Sequence, residues 1–306
     1  DHHSFALPGF DILRLGSHLD HIPLFFVLQQ GIQEAVAAAE RSDIVIMVLG
    51  GKSGLDNTCT CGETRDSASI ALPGVQQELL EAVHATGTPV VLVLVSGRPL
   101  AITWAAEHVP AILQAWLPGQ EGAWAIANVL SGNAVPGGKL PISIPRGAGQ
   151  IPVYHYHKPS GGRSQFSGNY VDLPAKPLYP FGFGLSYTTF AFTNLSLSTT
   201  QVKAGDALTV SVEVTNTGAV AGDEVAQLYL HQKFGSDSRP LRELKGFERL
   251  TLQPGETKTV TFRLGPDELG YWSTNAGQRV QDTAAYDLWV GADSLATLHA
   301  EFEVIP

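Results

Sequence analysis

Cysteine is nearly absent from this chain. Cys59 and Cys61 are the only two, and a single residue separates them. A disulfide between them would close a tiny, strained ring, and a CxC pair without two further ligands is a poor metal site. The pair therefore reads as two unpaired loop thiols. Charge is scarce as well, at 16% of residues, and it leans acidic; a net charge of −10 repels nucleic acid. No apolar run approaches the roughly 20 residues of a membrane-spanning helix. The stretch "IPLFFVL" at 22–28 is too short to span, and it lacks the basic flank that a signal peptide would carry. Methionine occurs once, at Met47, so the sequence does not open on a start residue and reads as a processed product or a fragment.

Glycine (32) and proline (19) are plentiful, which suits buried sheets joined by tight turns, and 306 residues suffice for two domains. From about Gly31 helix and strand patterns alternate. "GIQEAVAAAERSD" reads as a helix and "DIVIMVLGG" as a strand buried on both faces. "LPGVQQELLEAVHATG" puts Val75, Leu79, Leu80 and Val83 on one helical face, with Gly87 past its end. "TPVVLVLVSG" and "PAILQAWLPG" are two more strands, with a helical stretch near Trp104 between them and another in "EGAWAIANVLSGN". This order predicts an α/β sandwich, a mostly parallel sheet with helices on both faces, over residues 31–150 after a divergent lead-in at 1–30. Residues 151–190 are rich in Pro, Gly and aromatics and predict an irregular, packed connector. From 191 to 306 the period changes to two: Leu208, Val210, Val212 and Val214 alternate, as do Val260, Phe262 and Leu264. About seven short strands split by turn residues predict a fibronectin III or immunoglobulin-like all-β sandwich.

In parallel α/β sheets ligands sit beyond the carboxyl ends of the strands. Three loops are expected at that edge: 50–72, 96–98 and 117–121. The first is unusually long, and connections of that length are typically used for binding or catalysis. It holds Asp56, Glu63, Arg65 and Asp66 among small residues. Glu63 is either a carboxylic acid able to protonate a leaving group or a solvated surface side chain. Arg65 and Asp66 either orient a substrate hydroxyl or form a surface ion pair. "GGKS" at 50–53 resembles the tail of a phosphate loop, but Ile46 stands where that motif needs glycine. Ser96 in "VSGRP" lacks a nucleophile elbow, which makes a serine hydrolase a weak reading. His155 and His157 are expected to pack or hydrogen-bond rather than to ligate metal.

Four blocks together, "GETRDSASIALPGVQQELLEAV", "WLPGQEGAWAIANVLSGNAVPGGKLPISIPR", "PLYPFGFGLSYTTFAF" and "RPLRELKGFERLTLQPGETKTVTF", resemble the C-terminal half of glycoside hydrolase family 3, which includes β-glucosidases and β-xylosidases. The resemblance implies an α/β sandwich and a fibronectin III-like domain that in the family follow an N-terminal (β/α)8 barrel, absent here. It implies that Glu63 is the acid/base of a retaining mechanism, with Asp66 on the motif's Asp and Arg65 and Asp56 beside it as substrate-binding candidates. Ser67 stands where the family usually has Arg. The barrel supplies the nucleophile, so Glu63 needs a partner carboxylate from a barrel domain or a second subunit. No cofactor or metal is implied; the expected ligands are β-linked glucoside or xyloside oligosaccharides. The other reading is a non-catalytic carbohydrate-binding or scaffold module that kept the fold. The last domain is expected chiefly to brace the α/β layer and to shape a pocket rim through loop 231–244; the alternative is that Arg239 and Arg242 contact a sugar or a second subunit.

Overall fold

The structure, a computed structural model, describes residues 24–159 and 168–306; the lead-in at 1–23 and the connector stretch at 160–167 lie outside them. The chain divides into two units, Asp1–Gly119 and Gln120–Pro306.

The first unit is built on three parallel strands in the order β1 (Val45–Gly50), β4 (Val90–Val95), β5 (Ala111–Trp116). The central strand explains its own sequence. It is paired on both sides, Val90, Leu92, Val93 and Leu94 are buried, and so its apolar run is unbroken. Helix α1 (Leu24–Ala39) starts earlier than the pattern from Gly31 suggests and takes in part of the apolar "PLFFVL" stretch. Between β1 and helix α2 (Gln76–His84) lies a small hairpin of β2 (Cys61–Gly62) and β3 (Arg65–Asp66). Helix α2 buries Leu80 and Val83, as its spacing predicts. Helix α3 (Thr103–His108) connects β4 to β5. Gly50 ends β1 at φ 139°, where an added Cβ would lie 2.0 Å from the Val95 carbonyl oxygen. Only glycine lets the loop leave the sheet there. The first residue of α2 fixes that exit: Gln76 Oε1 accepts from Gly50 N at 2.8 Å and its Nε2 donates to Gly50 O at 2.9 Å.

The second unit opens with α4 (Gly122–Leu130) and a long irregular stretch that carries a 3-10 turn at Ala148–Gln150. The buried Gln150 side chain ties that stretch together, donating to Pro174 O (2.8 Å) and Lys176 O (3.0 Å) and accepting from Arg146 N (2.8 Å). His155 stacks on Phe181 and Tyr179 on Phe183, as expected of a packed connector. Tyr154 and Tyr156 depart from that expectation and are exposed. Their rings stack on each other at 4.6 Å, which shields part of their apolar faces.

The sandwich follows. One sheet has the order β10 (Glu243–Leu252), β9 (Gly222–Gln232), β14 (Ala285–Gly291), β15 (Leu298–Ile305), β7 (Gln201–Lys203); the other is β11 (Thr257–Leu264), β8 (Leu208–Asn216), β6 (Phe190–Leu197). Helix α5 (Pro266–Leu269) and the pair β12 (Tyr271–Ser273) and β13 (Gln278–Val280) join β11 to β14. Leu208, Val210, Val212 and Val214 face Leu228, Leu230, Leu288 and Phe302 across the core, the period-two arrangement the sequence predicts. One ion pair is buried here. Lys139 Nζ lies 2.7 Å from Glu224 Oε1, with 12% and 6% of the side chains exposed.

Candidate functional site

The loop leaving β1 folds back on itself before reaching the hairpin. Lys52 O accepts from Thr60 N (2.8 Å) and Cys61 N (3.3 Å), and Gly54 N donates to Cys61 O (3.1 Å). Cys59 is buried and Cys61 half-buried, and both are unpaired thiols. Asp56 seals the outer turn: it accepts from Thr58 N at 2.7 Å and pairs with Lys52 at 3.0 Å. Thr58 and then Lys52 hold its carboxyl well below the usual range.

Strands β2 and β3 pair Cys61 with Asp66 and Gly62 with Arg65, which leaves Glu63 and Thr64 as the two turn residues. Gly62 sits at φ 143° and Thr64 at φ 59°. Glu63 is thus at the tip. Its side chain is exposed and makes no hydrogen bond or ion pair among the described residues.

The two neighbours predicted to bind substrate are both partly committed. Arg65 Nε donates to Leu55 O (2.8 Å) and its Nη1 to Thr64 O (3.3 Å), so Arg65 does not pair with Asp66. Asp66 accepts from Ser67 N at 2.8 Å and is ion-paired with Arg98. The Ser67 N–H and then the Arg98 guanidinium hold its carboxyl below the ordinary value. Asp66 Oδ2 and Arg65 Nη2 carry no partner among the described residues. The pattern in the sequence suggested an Arg65–Asp66 pair; the cation comes instead from the end of β4, 32 residues on. Arg98 was legible only as part of the 96–98 turn, and the signal for its role was Ser67 standing where the family motif has Arg, leaving Asp66 to find its cation elsewhere.

Below the hairpin lies a cavity of about 220 Å³, walled by Thr60, Cys61, Ser67 and Ser69 from the loop, by Leu72 to Gly74 ahead of α2, and by Ser96, Arg98 and Leu100 after β4. Loops 50–72 and 96–98 therefore meet as expected, and Leu117 lies close against Gly97. Glu63 does not line this cavity, although Cys61, two residues away, does. Ser96 is buried, its Oγ accepts from Arg98 N at 3.3 Å, and no His lines the cavity, so no Ser–His pair forms there.

Other candidates lie in the second unit. Arg239 sits 4.2 Å over Tyr271 and pairs with Glu243 at 2.8 Å; Arg242 sits 3.7 Å over Trp289 and donates to Ala296 O. Both guanidiniums brace the sandwich. His155 is a packing residue, its imidazole pushed down to about 4 by burial and then by the neighbouring His157. Asp287, His299 and Glu301 converge closely enough to hold a metal ion, but Lys233 already bridges the two carboxylates at 3.2 and 3.1 Å.

Comparison with known proteins gives two domain matches: "Glycosyl hydrolase family 3 C-terminal domain" over residues 8–187 and "Fibronectin type III-like domain" over residues 224–294. The chain is 47% identical over 268 residues to a beta-xylosidase of Formosa agariphila, covering 88% of this chain and 36% of that protein. It is 41% identical to a periplasmic beta-glucosidase of Salmonella typhimurium, covering 90% of this chain and 36% of the relative. A crystal structure of a beta-glucosidase from Listeria innocua in complex with glucose superposes with a TM-score of 0.83 at 37% identity, over 91% of this chain and 39% of that one. The chain thus spans little more than a third of the length of these relatives.

Proposed function

The chain belongs to glycosyl hydrolase family 3, carrying that family's C-terminal domain and a fibronectin type III-like domain, and from this premise we propose that it supplies the acid/base half of a retaining β-glycosidase site. The observation that carries the reading is Glu63: an unpartnered carboxyl at the tip of a hairpin beyond the carboxyl end of the sheet. In the first half-reaction Glu63 protonates the departing glycosidic oxygen while a second carboxylate attacks the anomeric carbon; in the second it takes a proton from water. The two carboxyl groups of such a pair stand about 5–5.5 Å apart. Asp56 and Asp66, the other carboxylates of this loop, are both held by cations. The nucleophile therefore comes from outside the described loop, from a barrel domain or a second subunit.

Asp66 Oδ2 and Arg65 Nη2 are the groups left to meet sugar hydroxyls, while Asp56 shapes the outer turn. Relatives named as beta-glucosidases and beta-xylosidases point to β-linked glucosides or xylosides as substrates. The test is hydrolysis of nitrophenyl β-glucoside and β-xyloside by the chain joined to a nucleophile-bearing barrel domain, and by the same protein carrying Glu63→Ala. Loss of a general acid costs roughly 10²- to 10⁴-fold; activity that survives the substitution removes Glu63 from the mechanism. With the barrel supplied, glucose binding without turnover of either substrate selects the second reading, a non-catalytic carbohydrate-binding module.

A further inference from the structure

The Glu63 hairpin cannot hold itself. Its strands are two residues each, and a hairpin that short is marginal alone in water. Its turn is strained as well, because Thr64 is β-branched and lies in the left-handed region at φ 59°. Conformations of this kind persist only when surrounding groups over-determine them. Part of that support is local, from Gly54 N to Cys61 O and from Arg65 Nε to Leu55 O; the group that ties the hairpin to the sheet is Arg98. Its Nη1 donates to Ser67 O at 2.6 Å, just after β3, and its Nη2 donates to Thr60 O at 2.7 Å, just before β2. The same Nη2 reaches the Asp66 carboxylate. One planar guanidinium thus grips both limbs of the hairpin. Its own base is rigid: Arg98 N donates to Ser96 Oγ, and the buried Ser96 donates its N–H to Trp116 O at 3.0 Å on the neighbouring strand.

We propose that Arg98 is the positioning residue for Glu63, fastening the hairpin to the end of β4 so that the carboxyl at its tip has a single location. This rests on the reading of Glu63 as proton donor. Asp66 acts with it as the anionic end of the clamp. Lysine offers a point charge and three rotatable donors, not a fork, so it can replace the charge but not the simultaneous grip on two carbonyls.

The test compares the wild-type chain with Arg98→Lys, Arg98→Gln and Glu63→Gln, first by hydrogen exchange. Amides of residues 60–67 should exchange roughly 10- to 100-fold faster in Arg98→Gln, by an intermediate factor in Arg98→Lys, and at wild-type rates in Glu63→Gln. Amides of β1, β4 and β5 should keep their rates in all four proteins. Unchanged hairpin exchange in Arg98→Gln overturns the proposal, and so does loss of protection across the whole sheet, which would make Arg98 a residue of general stability. The second readout, on the same variants joined to a nucleophile-bearing barrel domain, is turnover of a nitrophenyl and a dinitrophenyl β-glucoside, identical in sugar but not in the leaving group's need for a proton. A displaced acid lowers kcat/KM for the nitrophenyl substrate much more than for the dinitrophenyl one; equal losses on both overturn the positioning role. Full activity in Glu63→Gln, alongside a loosened hairpin in Arg98→Gln, identifies the proton-donor reading as the part that failed.

Discussion

Lys139→Met tests how the second unit is held together. The ammonium sits 2.7 Å from Glu224 Oε1 with both side chains almost wholly out of water, and it also donates to Gly184 O at 3.1 Å. Methionine keeps most of the aliphatic stem and removes the charge together with its donors. Glu224 then keeps a single internal donor, Val225 N at 2.7 Å. Leaving one partner of a buried pair uncompensated costs about 3–5 kcal/mol. At about 2–4 °C per kcal/mol for a unit of this size, the midpoint should fall by roughly 6–20 °C. Replacing both partners, Lys139→Met with Glu224→Leu, should restore stability to within about 1 kcal/mol of the wild type, because neither charge is then buried alone. Differential scanning calorimetry on the four corners of this cycle gives the coupling directly. A single substitution that costs less than about 1 kcal/mol, the range of an exposed pair, refutes the argument that this contact is sequestered from solvent.

Three other outcomes follow from the geometry. His155 is pushed down to about 4 from an ordinary 6.5 by burial; the unfolded chain therefore binds a proton more readily than the folded one, and stability is whole above pH 6.5 and lost as pH falls toward 4. Chemical denaturation across that window should show the slope in the wild type and a flatter line in His155→Phe, which keeps the stack on Phe181. Gly62→Ala would place a Cβ 2.2 Å from Gly54 O at φ 143°, dislodging the hairpin, and the reaction of Cys59 and Cys61 with a disulfide reagent should speed up while β4 stays protected. Leu92→Ala at the fully buried centre of β4 should cost about 2–5 kcal/mol in urea unfolding of the first unit.

β4 and β8 were readable because their burial is one-dimensional, whereas β1, expected to be buried on both faces, lies at the edge of its sheet and leaves Ile46 and Val48 exposed. In β8 every second residue faces the core, and in β4 nearly every residue does, so period and composition alone reveal them. The parallel order of β1, β4 and β5 followed from helices intervening between apolar runs. The site was less legible. Glu63 stood out through its family motif, not through any local pattern, since an exposed turn carboxylate has no periodic signature. Arg98 acts on groups 31 to 38 residues earlier in the chain, and such a long-range grip leaves no mark on local spacing. Arg239 and Arg242 left a ligand-binding alternative open, because arginines in a long loop can meet one; here aromatic faces, Glu243 and the Ala296 carbonyl absorb them.

The five-stranded sheet of the sandwich ends on one side in β7, only three residues long and joined to β15 in parallel. On the other side it ends in β10, whose register slips between Leu244 and Gly246. The short β7 rim offers a foreign strand few unsatisfied amides and carbonyls, while the slip breaks the longer row along β10 into two.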